Sequence, residues 1–132
     1  MLEVDPHTWL RTLLKRFGPA MRALWLMHEP PRGTPLAPES GVIAGYREWM
    51  EAIEWAAPKL VVFGHDHSTS RRKNIWNHKL PCGTLCINVG QDAPLRYTVI
   101  EMKFNSEKPS LPADIRVTAN VDKRESLSLS PS

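Results

Sequence analysis

The chain has 132 residues, of which 42% are hydrophobic, and this length allows one domain with a core but hardly two. Its 17 basic and 14 acidic residues leave a net charge of +3, an excess too small and too evenly spread to predict a nucleic-acid or membrane-surface partner. The sequence has no apolar run near the roughly 18 to 20 residues that cross a bilayer, and it has no secretion signal, so we expect a cytoplasmic protein.

Two helices are predicted from turn residues and from apolar residues at helical spacing. The first covers residues 6–17 behind an Asp-Pro cap and ends at Gly18. A loop rich in proline and glycine follows over residues 29–41. The second helix is expected to begin after Ser40, which can serve as its cap, and to end before Pro58.

Four strands are predicted, over residues 22–27, 60–63, 85–89 and 96–104. The first is a candidate buried strand, and the second is fully apolar, as expected for a strand that is covered on both faces. After residue 104, proline, serine and charged residues dominate and aromatic residues are absent. We therefore divide the chain into a folded domain, residues 1–104, and a disordered C-terminal tail, residues 105–132.

Histidine residues stand at the ends of two of these strands. His28 directly follows the first predicted strand, and Gly-His-Asp-His at residues 64–67 directly follows the second. Loops at strand ends are common places for metals and substrates. Because two strands each end in histidine, we predict one metal site built by His28, His65 and His67.

Three motifs in this order resemble the C-terminal half of a calcineurin-like metallophosphoesterase. They are His-Glu-Pro-Pro-Arg-Gly at residues 28–33, Gly-His-Asp-His at residues 64–67 and Asn-Val-Gly at residues 88–90. The resemblance implies a mixed α/β (α+β) fold, a partial αββα sandwich with two helices and four to five strands. It also implies two metal ions at the loops beyond the strand ends, where activated water attacks the phosphorus of a phosphoester.

The resemblance also assigns roles to individual residues. His28 and His65 would ligate the second metal, and His67 would ligate the first. Divalent Mn, Fe or Zn suits such imidazole ligands. By their charge and position, Arg32 and Arg71 could contact the phosphate of the substrate. Charged residues on solvated loops are the alternative explanation, and the more common one.

The other ligands of the family do not occur in this sequence. It contains no Gly-Asp, which would carry the bridging aspartate, and no Gly-Asn, which would introduce the general acid. Asp5-Pro6-His7 matches an Asp-x-His motif, but the residues behind it indicate the start of a helix. We therefore expect a truncated or split hydrolase that is inactive alone, with at most one weakly bound metal and no assigned catalytic residue.

Two other functions remain open. The chain could be a non-catalytic binding or regulatory remnant, or a subunit that a partner chain completes with the missing N-terminal half. Half of a sandwich leaves apolar surface uncovered, which predicts poor solubility or a homo-oligomer. Neither nucleic acid nor a membrane is expected as a partner.

Two smaller sets of residues allow two interpretations each. Cys82 and Cys86, with His78 upstream, could form a zinc clip, but their spacing is wider than usual, and two small apolar side chains beside a turn explain them as well. Trp55 and Trp76 could pack in the core or against a partner.

Overall fold

The protein is described by a computed structural model. The structure describes residues 6–38, 46–64, 75–89, 97–120 and 124–129. Within these ranges the chain forms two α-helices, one 3₁₀ helix and seven strands in two sheets. In chain order the elements are α1 (Pro6–Phe17), the 3₁₀ helix (Gly18–Arg22), β1 (Leu24–Met27), α2 (Arg47–Ala56), β2 (Leu60–Phe63), β3 (Asn77–Lys79), β4 (Leu85–Asn88), β5 (Thr98–Asn105), β6 (Lys108–Asn120) and β7 (Arg124–Leu129). In the part of the chain so described, no helix combines the length and the apolar character needed to cross a membrane.

The first helix matches its prediction. α1 begins at Pro6, whose fixed φ suits the first helical position, and ends at Phe17. The expected cap, Asp5, lies outside the described residues. Gly18 follows with a φ of +65°, a conformation that favours glycine. The chain then continues as the 3₁₀ helix, so Gly18 changes the type of helix and does not end helical structure.

The second helix is shorter than predicted. α2 begins at Arg47 because Tyr46 is extended, with φ −111° and ψ 137°, so a helix that runs from Ser40 through this position is wrong. The expected cap, Ser40, itself lies outside the described residues. The end of the helix is as predicted, since Ala57 is left-handed and its N–H donates to the carbonyl of Ile53 at 2.7 Å.

The first sheet has the strand order β1-β2-β4-β3. β1, β2 and β4 are parallel, and β3 is antiparallel to β4. The register places Met27 beside Phe63 and Phe63 beside Asn88. The three parallel strands therefore end in one row at the same edge of the sheet.

The first sheet separates two apolar cores. Along β2, Val61 and Phe63 face the helices, whereas Leu60 and Val62 face the second sheet. All four side chains are buried, which confirms the prediction of a strand that is covered on both faces. The layers are therefore the helices, the mixed sheet and an antiparallel sheet, and the mixed α/β class is confirmed.

The prediction of a disordered tail over residues 105–132 is wrong, because β6 and β7 lie in this segment. They complete the antiparallel sheet β5-β6-β7. Ile115, Val117 and Ala119 alternate with more polar residues along β6 and are buried against the first sheet. A few apolar residues at a spacing of two are enough for the inner face of a strand, even in a segment rich in serine, proline and charge. With β3, these strands raise the described total to seven instead of four to five.

Candidate metal centre

The carboxyl ends of β1 and β2 lie side by side. Met27 and Phe63 are register partners, so the next residues, His28 and Gly64, leave the sheet at adjacent positions. Neighbouring strands are about 4.8 Å apart. His28 therefore lies about one strand spacing from the first residue of the Gly-His-Asp-His motif. β4 ends at the same edge, where the N–H of Val89 donates to the carbonyl of Phe63 at 3.1 Å.

His28 is exposed at the beginning of an anchored loop. Pro30 and Pro31, which follow it, are buried. The carbonyl of Pro31 accepts hydrogen bonds from the N–H of Thr34 at 3.4 Å and from its Oγ1 at 2.9 Å. Leu36 is fully buried in the helix-side core. Apolar contacts and a hydrogen-bonded turn thus hold the loop, while the imidazole of His28 stays accessible at the sheet edge.

The other two predicted ligands, His65 and His67, and the predicted phosphate contact Arg71 lie outside the described residues. The structure thus brings together His28 and the glycine that begins the motif, and the meeting of all three imidazoles stays a prediction. Among the residues that the structure describes, no three His, Cys, Asp or Glu side chains form a metal-binding group. Because His65 and His67 are not among those residues, this does not test the predicted trio.

A buried amide marks the third strand end. Asn88, the last residue of β4, is 1% exposed, and its backbone N–H donates to the carbonyl of Trp76 at 2.9 Å. Buried amides need hydrogen-bond partners, so such a residue holds its surroundings in one arrangement. The backbone hydrogen bond from Asn88 to Trp76 therefore joins the end of β4 to the residue that precedes β3.

Arg32, the other predicted phosphate contact, is exposed and lies in a different depression. It lines a cavity of about 480 Å³ together with Arg47, Glu51 and Glu54 of α2. Nε of Arg47 forms an ion pair with Oε1 of Glu51 at 2.8 Å. The two carboxylates offset the two guanidinium groups, so this depression is not a strongly anion-binding surface. The groove beside His28 is lined by other residues.

The zinc-clip interpretation of the cysteines is not supported. Neither cysteine forms a disulfide. Cys82 is exposed in the β3–β4 turn, where its thiol lies 3.4 Å from Oγ1 of Thr84. Burial, with a smaller contribution from Cys82, raises the pKa of Cys86 to about 12, and the thiolate that zinc requires is therefore disfavoured. His78 is the register partner of Cys86 across β3 and β4. Cys86 behaves as a small apolar side chain of the helix-side core.

The two tryptophans with open roles occupy different environments. Trp76 is 4% exposed and packs between the two sheets. Trp55 is 41% exposed, and the guanidinium of Arg11 lies 5.7 Å from its ring centroid. Trp76 is therefore a core residue, and Trp55 lies at the surface between the two helices.

The sequence did not predict how open β1 is. Leu24 and Leu26 are 36% and 78% exposed, so the expected buried strand is buried mainly at Trp25. A groove of about 550 Å³ runs along the strand and reaches His28. Its lining is mostly apolar and comprises Trp9, Leu10, Leu13, Met21, Leu24, Trp25, Leu26, Met27, His28, Glu29 and Trp49. A strand of four apolar residues has no periodicity that distinguishes an open face from a covered one.

No protein-family model matches this chain, and no curated protein matches it. The likeness to calcineurin-like metallophosphoesterases therefore depends on the three motifs and on the strands that carry them. Family membership is accordingly a proposal, to be judged on the geometry of the sheet edge.

Proposed function

We propose that the carboxyl edge of the first sheet is the metal centre of a calcineurin-like phosphoester hydrolase, incomplete in the residues that this chain supplies. The observation that carries the proposal is the register of β1 and β2, which makes His28 and Gly64 neighbours. A metal site needs ligands from separate segments to meet, and parallel neighbours deliver their ends to one place. The order of the layers supports it too, since helices, mixed sheet and second sheet correspond to three layers of an αββα sandwich.

The donors at this edge fit a divalent transition metal. Neutral imidazole is a good ligand for Mn, Fe or Zn, and the exposed ring of His28 can bind without leaving a buried position. We assign His28, His65 and His67 as the ligands. A divalent ion held there would act as a Lewis acid toward a phosphoryl oxygen and would make water a better nucleophile at neutral pH.

The same donor set explains why we expect little turnover from this chain alone. Three neutral imidazoles suffice for one ion, but two adjacent divalent ions require negative ligands to offset their charge. The sequence has no Gly-Asp or Gly-Asn to introduce the family's bridging aspartate or general acid. A positioned proton donor is typically worth about 10² to 10⁴ in rate. Full activity therefore requires acidic ligands from residues beyond this chain, as in a split or truncated enzyme.

The second candidate is a non-catalytic protein that binds a metal or a phosphate. A ligand set made only of imidazoles favours it, because such a set can retain one ion without the groups that hydrolysis needs. A subunit that a partner chain completes would differ from this remnant in one respect. Its activity would appear when the partner supplies the acidic motifs.

Metal binding to histidine variants tests the proposal. We expect calorimetric titration with Mn²⁺ or Zn²⁺ to give about one weakly bound ion per chain. His28→Ala, His65→Ala and His67→Ala should each weaken binding about tenfold or more. His78→Ala is the matched control, because His78 lies on β3, two strands away from β2, and its loss should leave binding unchanged.

A hydrolysis assay with an aryl phosphate and Mn²⁺ tests whether the metal site of this chain is incomplete. We expect the chain alone to show no turnover above buffer with metal. Binding that is insensitive to His28→Ala would contradict the metal centre. Strong turnover by the chain alone, abolished by His65→Ala, would show instead that the site is complete.

A further inference from the structure

β1 is an open edge of the first sheet. It is the terminal strand in the order β1-β2-β4-β3, and no described residue pairs with its outer side. On the paired side, the carbonyl of Ala23 accepts the N–H of Leu60 at 3.1 Å. Because successive residues of a strand direct their backbone groups to opposite sides, Leu24 and Leu26 direct theirs to the open side. β1 therefore presents hydrogen-bonding groups that another strand can use.

Two other edge strands of the described chain, β3 and β5, carry exposed charges that oppose pairing. β3 ends in the exposed Lys79. β5 exposes Glu101 and Lys103 and has a register irregularity after Lys103. Charges and bulges are the devices by which natural edges avoid association, and β1, with the sequence Leu-Trp-Leu-Met, has neither.

Apolar side chains border this edge on both faces of the sheet. Leu26 is 78% exposed and Leu24 is 36% exposed on the face that the second sheet leaves uncovered. Trp9 of α1 is 50% exposed and lines the groove along β1 on the helix face. An apolar surface beside unpaired backbone groups matches an interface that buries a strand.

We propose that β1 pairs antiparallel with β1 of a second copy of this chain, which joins the two mixed sheets across a two-fold axis. A two-fold axis perpendicular to the sheet makes each face of one copy continuous with the same face of the other. Paired residues must therefore lie on the same face, so even-numbered residues of β1 pair only with even-numbered ones. A pairing centred on Trp25 sets Leu24 of each copy beside Leu26 of the other. It satisfies the outward backbone groups of both leucines and buries their side chains together. This proposal does not depend on the metal centre.

The available area makes this a weak dimer. Leu24, Leu26 and Trp9 offer about 300 Å² per copy if each side chain has a total area of about 150 to 250 Å². A standard interface buries about 800 Å² per partner, and interfaces well below that size are transient. We therefore expect a weak dimer, with a dissociation constant in the micromolar to millimolar range.

Sedimentation equilibrium of the full chain, with and without one substitution, tests the dimer. The wild type should pass from monomer to dimer as its concentration rises from about 10 µM to about 1 mM. Leu26→Lys should weaken association by about tenfold or more, because it places a charge beside an apolar partner at each end of the pairing. Leu26 is largely exposed, so this change should leave the thermal unfolding temperature of the monomer unaltered.

Val99→Lys is the matched control, since Val99 is an apolar residue, 45% exposed, on the edge strand β5 of the other sheet. It should leave the dimer intact. A wild type that stays monomeric well above the expected concentration would overturn the proposal and point to another chain as the occupant of this edge. Dimers that survive Leu26→Lys, or open-ended aggregates in place of dimers, would also overturn it.

Discussion

β1 and β4 flank β2 on its two sides, and they differ in how the rest of the protein covers them. All four residues of β4 are buried, whereas only Trp25 of β1 is. The second sheet packs over Leu85 and Ile87 of β4 but leaves the corresponding face of β1 open. The first sheet is therefore covered at β4, which we call the finished side, and uncovered at β1, which we call the unfinished side.

The two sides of the sheet contribute to different properties of the molecule. On the finished side, Oγ1 of the buried Thr84 donates to the carbonyl of Pro58 at 2.6 Å, which ties the start of β4 to the end of α2. On the unfinished side, β1 leads directly to His28 and borders an apolar groove. Substitutions at the finished side should affect folding, and those at the unfinished side should affect binding.

The largest effect is expected for Val117→Asp, which places a charge on the inner face of β6, the strand that covers the finished side. Val117 is fully buried between the sheets, and an uncompensated carboxylate there should reduce the free energy of unfolding by about 3–5 kcal/mol. Urea unfolding followed by circular dichroism measures this loss, and a marginally stable domain would not fold at all.

Val99→Asp controls for the charge itself, because Val99 is exposed on β5 and the same substitution should cost less than about 0.5 kcal/mol. Equal and small losses for the two variants would show that β6 does not cover the first sheet. The two sides of the sheet would then not differ in how they are covered.

A smaller effect is expected in the alkaline pH dependence of stability. Burial holds the pKa of Cys86 at about 12 in the folded protein, above the usual value of the unfolded thiol. As the pH rises between the two values, the unfolded chain ionises and the folded one does not, so stability falls by about 1.4 kcal/mol per pH unit. Urea unfolding of the wild type at about pH 8.5 and about pH 10.5 should differ by roughly 2 kcal/mol more than that of Cys86→Ala.

Cys82→Ala is the control for this pH dependence. Cys82 is exposed in the β3–β4 turn, and its removal should leave most of the alkaline loss in place. If Cys86→Ala loses as much stability as the wild type between these two pH values, water reaches the helix-side core at β4 more readily than its burial indicates.

The sequence predicted those elements whose residues repeat one clear pattern. α1 followed from its proline start and apolar spacing, and β2 followed from four apolar residues in succession. β6 and β7 were missed because their inner faces need only a few apolar residues, such as Ile115 and Val117, within a polar segment. Antiparallel pairing of β6 with β5 and of β7 with β6 stabilises them, and no local propensity records such pairing.

The sequence predicted where the residues of the candidate site stand along the strands, but not the surfaces beside them. The placement of His28 after a strand could be predicted from the sequence, and the register of Met27 with Phe63 sets the ends of β1 and β2 side by side. The convergence of the three imidazoles stays a prediction. The exposure of Leu26 could not be predicted from the sequence, because it depends on how far the second sheet extends over the first. Arg32 was predicted near phosphate, and its place beside α2 follows from a loop path that the sequence does not specify.

Paramagnetic broadening of the histidine ring protons as Mn²⁺ is added tests whether β1 and β2 deliver one metal centre. If they do, the ring signals of His28, His65 and His67 should broaden together at substoichiometric Mn²⁺, while that of His78 on β3, two strands away from β2, broadens clearly less. A His28 signal that broadens no more than that of His78, or equal broadening of every histidine, would contradict a shared metal centre.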